Sequence, residues 1–211
     1  MVSPRPSDEY LYLADWRRQV ASLYAAWRAD SAADPARATR DFRAARDRLF
    51  REHPQSPLPA AGRAAYGGVP YFEYDPAYRF VARLEPAAAP IALPSSTDEP
   101  FASRRIGRVA LCGPLTGARL SVFWIAGYGG GLFLPFRDAT SGERTYGAGR
   151  YLLDTIKGAD LGGDPPSGEL LLDFNMAYHP SCAYDPRWSC PLAPPENTLA
   201  VAVPVGERLA A

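Results

Sequence analysis

The sequence predicts an α+β fold, mainly β: an N-terminal helical pair followed by an antiparallel β-meander closing as a barrel or sandwich. Three observations carry this. The apolar period is near 3.6 in the first 65 residues and changes to 2 from Tyr66 onward. The chain holds 22 prolines and 18 glycines, so turns are frequent and elements short. No long helical pattern lies between the candidate strands, which disfavours parallel crossovers.

Within residues 7–28 the apolar residues Tyr12, Trp16, Val20, Leu23 and Trp27 recur at steps of four, four, three and four. They mark one face of an amphipathic helix. Ser7 is available as its N-cap, and Asp8 and Glu9 suit the positive N-terminal end. Asp34-Pro35, a cap followed by proline in the first turn, opens a second helix. Ala38, Phe42, Ala45 and Leu49 continue it until His53-Pro54, where His53 reads as a capping residue rather than a base. Residues 1–65 are therefore expected to form a helical hairpin packed on a β-rich domain of residues 66–211.

Candidate strands are 78–84, 91–93, 105–112, 119–126, 132–137, part of 143–153, 169–175 and 198–205. Gly113-Pro114, Thr116-Gly117, the glycines from Gly127 to Gly131 and Ser141-Gly142 separate several of them. A run of such strands limits its exposed edges by closing on itself. Residues 180–195, rich in proline with Tyr, Trp and Cys among them, are expected as a loop ordered by packing.

Composition excludes several function classes. The chain is 47% apolar and 22% charged, which rules out disorder as a description of the whole. Basic and acidic residues balance at 23 each, so no nucleic-acid partner is expected. Residues 1–65 carry 11 arginines against 8 acids, an interspersed excess that fits a solvated or packed helix face better. No apolar run approaches the roughly 18 residues of a membrane span, so no membrane partner is expected. Without a signal-like N-terminus and with an odd three cysteines, the chain reads as cytoplasmic. Lys157 is its only lysine, a bias that matches abundant Arg, Ala, Gly and Pro from GC-rich coding. The oligomeric state is not legible.

Standard motifs fail. Gly147-Ala148-Gly149 is followed by Leu152 where a dinucleotide fingerprint needs its third glycine, and Lys157-Gly158 excludes a P-loop. His179, Cys182 and Cys190 have the spacing H-x-x-C-x7-C with no fourth ligand, so neither a metal nor another cofactor is expected. A Cys182–Cys190 disulfide and two buried thiols packing with Trp188 are both open readings.

Two dense polar regions remain. Residues 136–151 pack Arg137, Asp138, Arg144, Tyr146, Arg150 and Tyr151 among small glycines, and arginine's planar fork suits carboxylate or phosphate recognition. The same residues also fit a plain hairpin in which Asp138 caps the turn. Arg150, among small and apolar neighbours, reads as inward-facing and so needs a carboxylate, either a ligand's or that of Asp173. In 169–175, alternation puts Leu171, Asp173 and Asn175 on one face, followed by Tyr178. The expected ligand-binding set is Arg137, Tyr146, Arg150, Tyr151, Asp173, Asn175 and Tyr178, with Asp173 as the catalytic candidate.

The motifs T-Y-G-A-G-R-Y-L (145–152), L-D-F-N-M-A-Y-H-P-S-C-A-Y (172–184), C-P-L-A-P-P-E-N (190–197) and V-G-E (205–207) resemble the prokaryotic family known as domain of unknown function 1684. The resemblance runs from the end of the second helix to the C-terminus. It implies no activity, since the family has none established. His179 departs from the asparagine expected in its motif, which weakens zinc binding and His-based catalysis alike. Three functions stay open: binding of a small polar or anionic molecule, a hydrolase or lyase with Asp173 as general base, and a structural or interaction protein with an internal Arg-Asp network.

Overall fold

The computed structural model describes residues 6–97 and 99–210, with side chains described from Asp8 onward. Helix α1 spans Pro6–Asp30 and α2 spans Pro35–Glu52. The first begins ahead of Ser7, whose proposed capping side chain lies outside the described residues. The second starts as its sequence dictates: Asp34 is the N-cap and accepts the Arg37 N–H, with Pro35 in the first turn. His53 is the C-cap, its ring also 3.2 Å from the Asp15 carboxylate of α1. Neither helix is long and apolar enough to cross a membrane.

Seven strands follow: β1 Arg79–Leu93, β2 Phe101–Ala110, β3 Arg119–Ile125, β4 Gly131–Phe136, β5 Arg150–Asp154, β6 Gly163–Asp164 and β7 Glu169–Asp173. They form one antiparallel sheet in the order β5-β4-β3-β2-β1-β7-β6, curled into a half-barrel. Register shifts at Pro86/Ala89, Arg105/Gly107 and Leu134/Pro135 supply bends that help a sheet curl. At the middle one a side chain on Gly107 would put its Cβ 2.6 Å from the Glu85 carbonyl oxygen, so glycine is required. Tyr151 of β5 exchanges both backbone hydrogen bonds with Tyr178, just past β7, which joins the far ends of the curled sheet.

Several element boundaries differ from expectation. The segments 78–84 and 91–93 are parts of the single long strand β1, and the short β6 carries too little pattern to be seen in sequence. The strand expected to 175 ends at Asp173, which caps a 3-10 turn instead. Residues 198–205 alternate like a strand but run as irregular backbone along the end of β4: Leu199 N–H donates to the Arg137 carbonyl and Ala139 N–H to that of Val201. Asn197 pins the start of this tail by donating to the carbonyls of Ser121 and Pro135 and accepting the Ser121 N–H.

The main core joins both parts of the chain. Tyr24, Trp27, Ala38 and Phe42 of the helices share one buried cluster with Val122, Leu134, Phe136, Leu152, Leu172 and Phe174 of the sheet region. A second cluster, Leu93, Phe123, Ile125, Phe133 and Tyr151, lies under residues 180–195, and the Tyr151 hydroxyl donates to the Pro191 carbonyl. The proline-rich loop is thus ordered by packing, as its aromatic content implies.

Candidate functional site

The expected site residues do not share one space. Gly149, at φ +100 and too close to the Phe136 carbonyl to carry a Cβ, turns the chain sharply into β5 and sends the next side chain inward. That side chain, Arg150, is completely buried. Its partner is Asp138 at 2.8 Å, not Asp173. Its terminal nitrogens also donate to the carbonyls of Val203, Val205 and Glu207, so the guanidinium fastens the C-terminal tail to the sheet. Burial pulls the Arg150 pKa down, and the Asp138 carboxylate opposes it.

Asp173 is equally sealed and belongs to a separate network. One carboxylate oxygen accepts from the Asn175 N–H and side-chain amide at 3.0 and 2.9 Å, and the other accepts from Arg79 at 3.0 Å. The β1–β7 register sets Arg79 directly opposite Asp173, a long-range pairing that local spacing does not encode. Asn175 continues the network by exchanging hydrogen bonds with the backbone of Asp75. Burial raises the Asp173 pKa, as a general base wants, but the carboxylate has no surface from which to reach a substrate. Among the other expected residues, Arg137 is exposed, Tyr151 is buried under Pro191, and Tyr146 sits half-buried near Cys182. The expectation of an Arg150–Asp173 pocket is corrected accordingly: two separate buried carboxylates bind two separate arginines.

Tyr178 alone of that set lines a cavity of about 70 Å³ between the helical pair and the sheet region. Trp16, Val20, Leu23 and Tyr24 face it from α1, and Phe42, Arg46, Leu49 and Phe50 from α2. This explains why Trp16, Val20 and Leu23, on the predicted apolar face, are only half-buried: they border space. Lys157, Ala159, Tyr178, His179, Ser181 and Tyr184 complete the lining with Pro57.

The polar side of the cavity is built around Glu207. Arg46 donates to one Glu207 carboxylate oxygen and to the Tyr71 hydroxyl. The other oxygen accepts the His179 N–H at 2.6 Å and the Tyr184 hydroxyl at 2.9 Å. Burial works against the Arg46 charge, but Glu207 together with the neighbouring Tyr71, Tyr184 and Tyr24 outweighs it and the guanidinium stays firmly protonated. His179 Nε2 accepts the Tyr146 N–H, a role open only to the neutral ring. Burial lowers the His179 pKa to about 4, although Glu207 pulls the other way. Lys157 lines the cavity and forms no ion pair with the described residues, although its charge pulls down the pKa of the buried Asp154 carboxylate against the effect of burial.

Sequence reasoning passed over Arg46, Lys157, Tyr184 and Glu207. Two signals were present. Arg46 stands one turn from Phe42 and from Phe50 on the buried face of α2, and Lys157 is the one lysine in a chain that otherwise uses arginine. Among the described residues, no group of His, Cys, Asp and Glu is arranged to hold a metal ion.

The family model described as Protein of unknown function (DUF1684) matches residues 64–208. The chain belongs to this family. The signature expected from the sequence now has a physical reading: Arg150, Asp173, Asn175 and Asn197 tie loops and tail to the sheet, while Tyr178 borders the cavity and Glu207 holds Arg46 at its edge. Among solved structures, an uncharacterized protein of Haloarcula marismortui, determined by solution NMR, is 37% identical with a TM-score of 0.56. The match covers 81% of this DUF1684 chain and 91% of that one. No curated protein matches.

Proposed function

We propose that the protein binds a small amphipathic molecule, an apolar body with one acidic group, in the cavity between the helical pair and the sheet. One observation carries the reading: apolar walls from Val20, Leu23, Phe42 and Leu49 share one cavity with Lys157, whose charge reaches the buried Asp154 but which makes no ion pair with a described carboxylate. Apolar lining with a few convergent polar groups is the ordinary make-up of small-molecule sites. The Tyr178 and Tyr184 rings and the Arg46–Glu207 pair form a fixed polar edge beside Lys157. Arg46 is already paired, which leaves Lys157 as the group that holds the acid. The anionic ligand foreseen from the sequence is retained, with Lys157 in place of Arg150 as its partner.

The test is a thermal-shift panel of short aliphatic and aromatic carboxylates, each beside its neutral amide. The expected result is stabilisation by carboxylates, rising with concentration as binding to the native state alone requires. Leu23→Trp should abolish the shift by filling the cavity, and Lys157→Met should erase the preference for acid over amide. A panel without effect, or a shift that survives Leu23→Trp, overturns the reading.

A further inference from the structure

A second chemistry lies beside the cavity, and the ligand reading makes no use of it. Cys182 and Cys190 are both free thiols at the two ends of one loop. Cys182 is 9% exposed and Cys190 is sealed. The Cys182 N–H donates to Cys190 Sγ at 3.4 Å, which sets the two cysteines against one another. The Tyr146 hydroxyl stands 3.8 Å from Cys182 Sγ as a further donor.

This geometry makes the two sulfurs unequal. The neighbouring Cys190 thiol, with the Tyr146 hydroxyl, draws the Cys182 pKa down against the effect of burial. The same contact pushes Cys190 up. Cys182 is therefore the sulfur that gives up its proton more readily. A thiol drawn toward its thiolate form next to a second cysteine is the arrangement that oxidation-sensing sites use.

We propose that Cys182 and Cys190 form a peroxide-oxidisable dithiol, with Cys182 as the attacking sulfur and Cys190 as the resolving one. In the first step the Cys182 thiolate attacks one oxygen of a hydroperoxide. An S–O bond forms, the O–O bond breaks, and the departing oxygen takes a proton to leave as water or an alcohol. In the second step Cys190 gives up its proton and attacks the Cys182 sulfur. The S–S bond forms, and the hydroxide released from sulfur takes up that proton as water. Two thiols lose two electrons and the peroxide gains them. The product ties together the ends of a loop that holds Tyr184 on Glu207 and Trp188 on the Pro57 carbonyl. The proposal stands independently of whether the cavity takes a ligand.

The experiment uses the reduced full chain carrying Cys112→Ser, which removes the exposed third thiol. Hydrogen peroxide is added in slight excess, free thiols are alkylated at intervals, and peptides are mapped by mass spectrometry. The expected product is a Cys182–Cys190 linked peptide, restored to two thiols by dithiothreitol. Its rate of formation should fall as the pH is lowered and the thiolate is lost. Adding Cys190→Ser should stop the reaction at a sulfenic acid on Cys182 that dimedone traps. Two thiols that react no faster than those of the urea-unfolded chain overturn the proposal, and so does oxidation of Cys182 without linkage to Cys190.

Discussion

Two buried arginine–carboxylate pairs, Arg150–Asp138 and Arg46–Glu207, are alike in chemistry and differ in surroundings. Arg150 is closed in on every side, and its terminal nitrogens spend their remaining donors on three carbonyls of the tail. Arg46 keeps 11% of its side chain exposed, lies over the Phe50 ring, and borders the cavity. The comparison separates two uses of one interaction. A buried arginine that satisfies backbone carbonyls sets the path of the chain, whereas one that stands beside space holds an edge to which something else can bind. Burial and ion pairing alone do not tell these apart; the volume next to the pair does.

The largest effect should come from removing the sealed arginine. Arg150→Met takes the cation from the buried Asp138, which keeps only the Thr140 and Val203 donors, and frees three carbonyls, at a cost of about 3–5 kcal/mol. Urea unfolding measures this, and hydrogen exchange should show residues 203–207 losing protection. Stability within 1 kcal/mol of the parent, roughly the ordinary scale of a surface change, would mean that Arg150 is not the fastener described.

Acid should weaken the Glu207 edge next. His179 titrates near 4 in the folded chain against 6.5 as a free side chain, so the unfolded chain binds its proton more readily. Its contribution is complete above 6.5 and is lost as pH falls from there to 4, on the order of 3 kcal/mol at most. His179→Asn, the residue expected from the family motif, should flatten stability in that window. An unchanged pH profile in this variant would assign the acid sensitivity elsewhere.

The smallest of the three effects is expected for Glu207→Gln. The amide oxygen still accepts hydrogen bonds, and Arg46 has the cavity in which to reach water, so the loss should stay at about 1–2 kcal/mol. A cost equal to that of Arg150→Met would erase the distinction between the two pairs.

Local chemistry made much of this fold legible. Asp34-Pro35 and His53-Pro54 bound α2 where they should, and the period of two located β2, β3, β4 and β7 to within a few residues. What escaped were pairings between distant residues. Nothing near Asp173 points to Arg79, which lies 94 positions away and meets it only through strand register. Residues 198–205 alternate as a strand does, but Asn197 and Asp138 hold them in irregular backbone through side-chain hydrogen bonds that alternation does not record. The cavity was hidden for a different reason. A half-buried Leu23 and a fully buried Leu152 look the same in sequence, and only the packing of α1 against the remainder leaves one beside empty space.

The reach of the tail bears on how the protein is made. Arg46 finds its carboxylate 161 positions later, at Glu207, and Arg150 needs the carbonyls of 203, 205 and 207. While residues 203–207 are still inside the ribosome, Arg46 is without its carboxylate. Arg150 already has Asp138 but is without its three carbonyls, although every described helix and strand has been synthesised. The helical hairpin can be locked only by a stretch made after every described strand, so this closure waits for translation through Glu207.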